Sequence, residues 1–504
     1  MRYSRILMLV LALYGVAVLI AYSFAGDNRY VDAMTVILFE LVALTFMLEL
    51  VTLGRRSLEI ELMFVTCSML FLCLHTFAYL LYPELVAYAG TVRHEIIHVQ
   101  DVNRGLLYLC LGTAVFVAGV RVGAAVSPPR ARARRSGPPP VNLGPLFFVG
   151  VYQVAFELMA GLYFGRFSTI ISDANGGGWV GLVGRLVSST TFVFLAVPVL
   201  IHQGRAMPSL KRNLLVAATV GVLLHETLVG SRQAVLVALL IGLAVLFDCR
   251  GDFFFRRRAL LTLAAAALGC VFTFPAATIV RDYWNLSKSA GHNLSWSEFR
   301  DIESQPSAAR PNMIKVLALR LNGLDPIFAV SSGHVVERDK YISVPIVLKS
   351  FVNVVVPGTP WPEARELSKT FLITYEGYPP EFLDYFYVTC MYTVWGDSWA
   401  MFGFAKGLLA MMVLGGVLAI VFSVLTRRRR RSSVFWRVAF IYMIYAVTVS
   451  FGMDTVGATA VYLALPLFVA MKLSGVYRRI PGTLHRKVSG PMPELLVSAP
   501  GQNV

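Results

Sequence analysis

The feature that most limits what this chain can become is the recurrence of apolar segments long enough to cross a bilayer. They fall at 6–25, 32–53, 58–82, 104–126, 142–165, 182–201, 213–229, 233–248, 259–280, 398–425, 434–452 and 455–473. About 20 helical residues cross the hydrocarbon layer, and a helix satisfies its own backbone there as an isolated strand does not. The expected fold is an all-α polytopic membrane protein of about twelve transmembrane helices. Positive charge tests the count, because short cytoplasmic loops collect Lys and Arg. With a cytoplasmic N-terminus, the inner connections hold Arg55, Arg56, RARARR at 130–135, Arg205, Lys211, Arg212 and CRGDFFFRRR at 249–258. They also hold Arg427 to Arg431 and, from the inner end of span twelve through the tail, Lys472, Arg478, Arg479, Arg486 and Lys487. The short outer loops hold only Arg29, Arg93, Arg104, Arg166 and Arg232. The alternation holds at every crossing and puts both termini in the cytoplasm.

Composition agrees with this. Apolar residues make up 57% of the 504, and mean hydropathy is +0.66, more apolar surface than a soluble fold can cover. A net charge of +16 would point to nucleic acid in a soluble chain. Here the basic runs are cytoplasmic flanks facing anionic lipid, so the bilayer is an expected partner and nucleic acid is not. The first segment follows Arg2 and Arg5 and is too long for a signal-peptide core, so it reads as a retained span. Cys67, Cys73, Cys110, Cys249, Cys270 and Cys390 form no CxxC pair or metal spacing, and they read as small buried hydrophobes.

One outer connection is long. Residues 1–280 carry spans one to nine, 281–397 form a large outer loop, 398–473 carry spans ten to twelve, and 474–504 are a cytoplasmic tail. The loop's charges nearly balance, which argues against disorder driven by self-repulsion. In PNMIKVLALRLNGLDPIFAV (311–330), Ile314, Leu317, Leu321 and Leu324 recur at helical spacing, which predicts a helix on the membrane surface or over the bundle. NVVVPGTPWPEARELSK (353–369) is punctuated by Pro and Gly, and the aromatic 379–396 reads as a half-helix preceding span ten. The loop is expected to be a folded cap. Nothing relates spans one to six to spans seven to twelve, which counts against a transporter built from repeated halves.

Polar groups in or at the mouth of spans are costly and so are the first functional candidates. HETLVGSRQAVL (225–236) places His225, Glu226, Ser231 and Arg232 within eight residues. Gly230 can end span seven and Ser231 can cap span eight, whose first turn then offers free N–H groups and a positive dipole end. Arg232 adds a fork that matches a phosphate. The stretch is either an anion site at the outer boundary or a capped turn with a snorkelling Arg. Arg281 follows span nine beside Asp282 and carries the same two readings. Arg320 on the loop helix points either to that mouth or to solvent, and Lys369 closes the Pro-rich segment. Glu157, with Tyr152, Gln153 and Tyr163, either ties helices together or lines a cavity. Asp397 lies between aromatics in VWGDSWAMFGF and is either a helix-cap acid or a sugar-binding acid flanked by stacking rings.

With GSRQ at the tight outer turn, Arg281 after the next span, VVVPGTPWPEARELSK in the loop and VWGDSWAMFG leading into span ten, the chain resembles the bacterial O-antigen polymerases. The likeness covers roughly 210–425, and the first half shares only hydropathy. The spacing from Pro to Lys in PGTPWPEARELSK is longer than the family's pattern, a departure at Lys369. The resemblance implies a glycosyltransferase of the bacterial inner membrane that works at its outer face. It would move a growing glycan from its polyprenyl-diphosphate carrier to the next carrier-linked unit. Polyprenyl-diphosphate-linked oligosaccharide is then the substrate, with no nucleotide sugar, metal or other cofactor, and a chain-length regulator and a flippase are possible partners. It assigns Arg232 and Arg281 to the leaving diphosphate. Arg320 and Lys369 would be substrate contacts if the loop folds over the site, and from their own positions His225 at the mouth and Glu157 inside span five are further candidate substrate contacts. A carboxylate (Glu226, Asp397 or Glu376) would act as general base. Two rival readings remain, an O-antigen ligase and, from another class, a lipid-linked oligosaccharide flippase.

Overall fold

In a computed structural model, the described residues are 2–53, 97–127, 142–159, 189–204, 207–228, 294–304, 325–333, 343–356, 393–426, 433–445 and 453–475, with scattered positions between them. All the regular structure among them is helical. The helices are α1 (Arg2–Ala25), α2 (Ala33–Leu53), α3 (Val99–Val126), α4 (Leu143–Met159), α5 (Ser189–Gln203) and α6 (Ser209–Leu228). They continue as α7 (Trp296–Ser304), α8 (Asp325–Ser332), α9 (Val344–Val355), α10 (Val394–Leu425), α11 (Ser433–Tyr445) and α12 (Met453–Leu473). Two of them, α3 and α10, are long and apolar enough to cross a membrane. Segments 58–82, 233–248 and 259–280 lie almost wholly outside the described residues, as do 311–324 and 379–392.

The main axis of the fold is the parallel pair α3 and α10. Gly105, Gly112 and Gly119 recur every seven residues on α3, and Gly123 follows four later, which keeps them along one seam. A Cβ at Gly119 would fall on the carbonyl oxygen of Met412, one at Gly123 on that of Gly416, and one at Gly415 on that of Phe116. Backbone meets backbone along this seam, an approach that only glycine allows and that small residues give membrane helices. Around the pair lie α1, α2 and α8, forming one apolar core with Leu106, Phe116, Phe328, Trp395 and Met411 wholly buried or nearly so. A second core joins α4, α5, α6, α11 and α12 around Phe192, Phe194, Leu195, Phe435 and Leu467. The helix α11 serves both, giving Phe435 and Trp436 to one and Phe440 and Ile444 to the other.

The outward surfaces are apolar too. Leu13, Val16, Ile20 and Phe24 on α1 and Leu409, Val413, Val417 and Val424 on α10 are exposed. Large contiguous apolar faces of this kind are rare on soluble monomers.

Polar ties gather at the N-terminal ends of α2 and α3. Asp32 Oδ1 accepts the N–H of Thr35 at 2.7 Å, which caps α2. The Asn103 amide of α3 donates to the same carboxylate at 3.2 Å, and its oxygen lies 2.7 Å from the Thr35 hydroxyl. His98 and Asp101 start α3, where the Asp101 carboxylate accepts the His98 N–H at 3.0 Å.

Two helices from 281–397 dock on helix ends. α8 lies against the start of α3, where the Arg104 guanidinium donates to the Ser331 carbonyl at 3.2 Å and the Ser331 hydroxyl donates to the Asp101 carbonyl at 2.5 Å. The Phe328 ring fills the notch at Gly105, 2.5 Å from where a Cβ would stand. α9 packs on α12, with the Phe351 ring 2.8 Å from the Cβ position of Gly457, near the start of that helix. The Asn353 amide then ties down the following bend, accepting the N–H of Trp361 at 2.9 Å and donating to its carbonyl at 2.5 Å. Of the segment 353–369, read from sequence as rich in turns, the first residues complete α9. Nearer the loop's start, α7 opens with a capping box in which Glu298 accepts the Ser295 N–H at 2.7 Å and Ser295 Oγ accepts the Glu298 N–H at 3.2 Å. Tyr283, Trp296 and Phe299 pack their rings together beside it.

Candidate functional site

The segment that opens α10 departs most from a simple span. The helix begins at Val394, inside the stretch read from sequence as loop, and breaks at Gly403, where φ is 74° and ψ 179°. An L side chain strongly disfavours that conformation. The limb before the break, 394–402, folds back beside the limb after it, 404–425. A Cβ at Gly407 would lie 2.7 Å from the Ser398 carbonyl oxygen. Nine residues of straight helix would separate those positions by about 13 Å.

The neighbours fix the direction. Gly112 of α3 faces both Trp395 and Leu408, whereas Tyr108, one turn nearer the start of α3, meets Ser398, Trp399, Phe404 and Gly407. The first limb therefore runs from inside the bundle towards the end of α3 where α8 sits, and the second limb returns. The second limb alone reaches about 33 Å at 1.5 Å per residue, enough for a bilayer.

The first limb carries Asp397. The residue is 0% exposed, its N–H bonds the Thr393 carbonyl at 3.0 Å, and it sits in the first turn, where the positive end of the helix dipole favours an acid. Ser398 is also wholly buried. Its hydroxyl donates to the Trp395 carbonyl at 3.0 Å and lies 2.8 Å from the Tyr108 hydroxyl. The hydroxyls of Thr393 and Thr113 are buried with no hydrogen-bond partner among the described residues. The rings of Tyr108, Trp399 and Phe404 pack against one another, with centroids 4.6 to 5.4 Å apart. A buried acid, several hydroxyls and a cluster of aromatic rings thus gather around the first limb.

The other expected residues fall as follows. His225 is in the last turn of α6 and is buried, 7% exposed. Glu226 is the next residue of α6, and Glu157 lies in the C-terminal part of α4. The α4 and α6 helices belong to the second core and Asp397 to the first. Arg232, Arg281, Arg320, Lys369 and Glu376 lie outside the described residues, as does the turn at Gly230 and Ser231. Among the described residues no three His, Cys, Asp or Glu side chains group as metal ligands. The free thiol of Cys110 is buried.

Sequence reading missed Tyr108, Ser398 and the break at Gly403. The seven-residue glycine repeat marked the seam and so the face on which Tyr108 lies. No local signal links Tyr108 to Ser398, which is 290 residues away. No protein-family model, curated protein or solved structure matches this chain.

Proposed function

We propose that this protein is a membrane glycosyltransferase that polymerises polyprenyl-diphosphate-linked oligosaccharide repeat units at the outer face of a bacterial inner membrane. In this reading the chain crosses the membrane about twelve times with both ends in the cytoplasm, and 281–397 is a periplasmic cap. The observation that carries it is the half-helix 394–402, which folds back into the bundle with Asp397 wholly buried among hydroxyls and aromatic rings. The docking of α8 and α9 on the starts of α3 and α12 supports the cap, because the charge pattern puts those helix ends outside.

The chemistry follows from the groups available. The acceptor hydroxyl oxygen bonds to the anomeric carbon of the growing glycan, and the bond from that carbon to the carrier breaks. Polyprenyl diphosphate leaves with the bonding electrons, and Arg232 and Arg281 stabilise its charge. A carboxylate takes the hydroxyl proton. Asp397 fills that role only for a sugar that enters between the half-helix and its neighbours, since the residue is closed to solvent as it stands. Glu226 is the alternative base, at the end of α6.

The test is Arg232→Ala and Arg281→Ala in cells, with surface glycan resolved by length on a gel. Long chains should vanish at normal protein level while single repeat units still reach the lipid core. Full ladders from both variants would refute the site. Loss of every unit from the lipid core would indicate a ligase. A second reading has its own observation: a broken helix carrying a buried acid is also how transporters build sites. A flippase variant would trap carrier-linked units on the cytoplasmic side, whereas a polymerase variant would leave them outside.

A further inference from the structure

One tyrosine touches both limbs of the folded-back helix. Tyr108 of α3 is 0% exposed, and its ring packs on Trp399 of the first limb and Phe404 of the second, at 4.6 and 5.2 Å. Its hydroxyl lies 2.8 Å from Ser398 Oγ on the first limb and occupies the space that a side chain at Gly407 of the second would need. The Ser398 hydroxyl has a single proton, and it lies on the Trp395 carbonyl at 3.0 Å, so Tyr108 donates to Ser398. A phenylalanine would make the same ring contacts. The hydroxyl is an added cost inside an apolar core unless its bond serves a purpose.

We infer that Tyr108 is a positioning residue, a clasp whose hydroxyl holds the half-helix 394–402 folded back and so fixes where Asp397 stands. Three features carry this: the relay from Tyr108 to Ser398 to the Trp395 carbonyl, the glycine at 407 that makes room for the hydroxyl, and the break at Gly403 that leaves the first limb with no continuous helix to hold it. Asp397 is one residue from Ser398 and shares the turn that the relay braces. The link to catalysis rests on the polymerase reading, but the clasp itself does not.

The test pairs a geometric readout with a functional one. Thr393→Cys puts a thiol at a position 1% exposed, the N-cap of the braced limb, and its labelling by a membrane-impermeant maleimide is followed on its own peptide by mass spectrometry. Adding Tyr108→Phe, or separately Ser398→Ala, should raise the labelling rate roughly fivefold, the shift expected for one neutral buried hydrogen bond. The two changes together should add little to either alone, since both break one relay. Without the cysteine, purified Tyr108→Phe protein given carrier-linked repeat units should lose kcat while KM and the melting temperature hold. Unchanged labelling in both single variants would overturn the clasp. A fall in melting temperature with kcat and KM unchanged would overturn it in favour of plain packing. Raised labelling with full-length glycan would keep the clasp and refute the role of Asp397 in the polymerase reading.

Discussion

Gly403→Ala is a sharp test of the fold-back because two architectures predict opposite signs. At φ 74° and ψ 179° an alanine is strained whatever surrounds it, and among the described residues nothing lies within 4 Å of where its Cβ would be. Packing therefore contributes nothing, and the whole effect is backbone strain, about 1–3 kcal/mol. That makes the folded-back form about 5- to 160-fold less favoured. Were 394–425 one continuous helix, the same change would remove a helix-interior glycine and stabilise it by about 0.5–1 kcal/mol. Gly221 supplies the reference. It lies within α6, also with open space around its Cβ position and no positive φ, so Gly221→Ala should be neutral or slightly stabilising. The assay is thermal unfolding of the purified protein in mild detergent, followed by tryptophan fluorescence, with all three proteins compared in one buffer. The expected order is Gly221→Ala at or above the parent and Gly403→Ala several degrees below it. If Gly403→Ala melts with Gly221→Ala, at or above the parent, the turn at Gly403 does not exist and the burial of Asp397 must be abandoned.

The helix seam gives a second contrast: Gly119→Ala drives a methyl into the Met412 carbonyl and should cost about 1–3 kcal/mol, whereas Gly416→Ala, with 3.4 Å to the nearest carbonyl, should be close to neutral. Equal midpoints for the two in the same melting assay would mean that the α3–α10 contact is looser than described. Asp32→Ala removes the α2 cap together with the carboxylate that the Asn103 amide reaches, and it should cost about 1–2 kcal/mol. Asn103→Ala in that background should then add little, and full additivity of the two would show that they do not share one network.

Much of the helical pattern was legible because hydropathy and charge report directly on it. The expected spans at 6–25, 32–53, 104–126 and 455–473 lie within or nearly coincide with helices α1, α2, α3 and α12. Asp32 and His98 stand at the starts of α2 and α3. Expected span 398–425 lies within α10, and only the break at Gly403 was missed, for a physical reason. VWGDSWAMFGFAKG is apolar throughout, so a hydropathy window slides across Gly403 without a signal. A glycine inside an apolar helix also looks the same whether it bends the chain or serves a seam, as Gly119 does. The sequence placed Asp397 just outside a span, because the apolar run to either side of it fixes the span's boundary only to within a turn. In the structure it lies in the first turn of a half-helix that starts inside the bundle and runs towards the α8 end.

That relocation changes the kind of acid Asp397 can be. A carboxylate at an open mouth is held by water and by any arginine within reach, and it needs no special support. One closed to solvent must find its compensation in fixed groups, and the half-helix supplies it, because Asp397 occupies the first turn of the helix that buries it. Burial and stabilisation thus come from one short piece of chain, anchored by Gly403 at one end and by Tyr108 along its flank. Moving that piece would uncover the acid without taking away its helix-end support, as the dipole travels with it. An acid fixed to a rigid span could not be exposed in this way. The break at Gly403 separates the short limb that carries Asp397 from the long one, so on the proposed function that limb is the piece whose movement would bring the buried acid to a sugar hydroxyl.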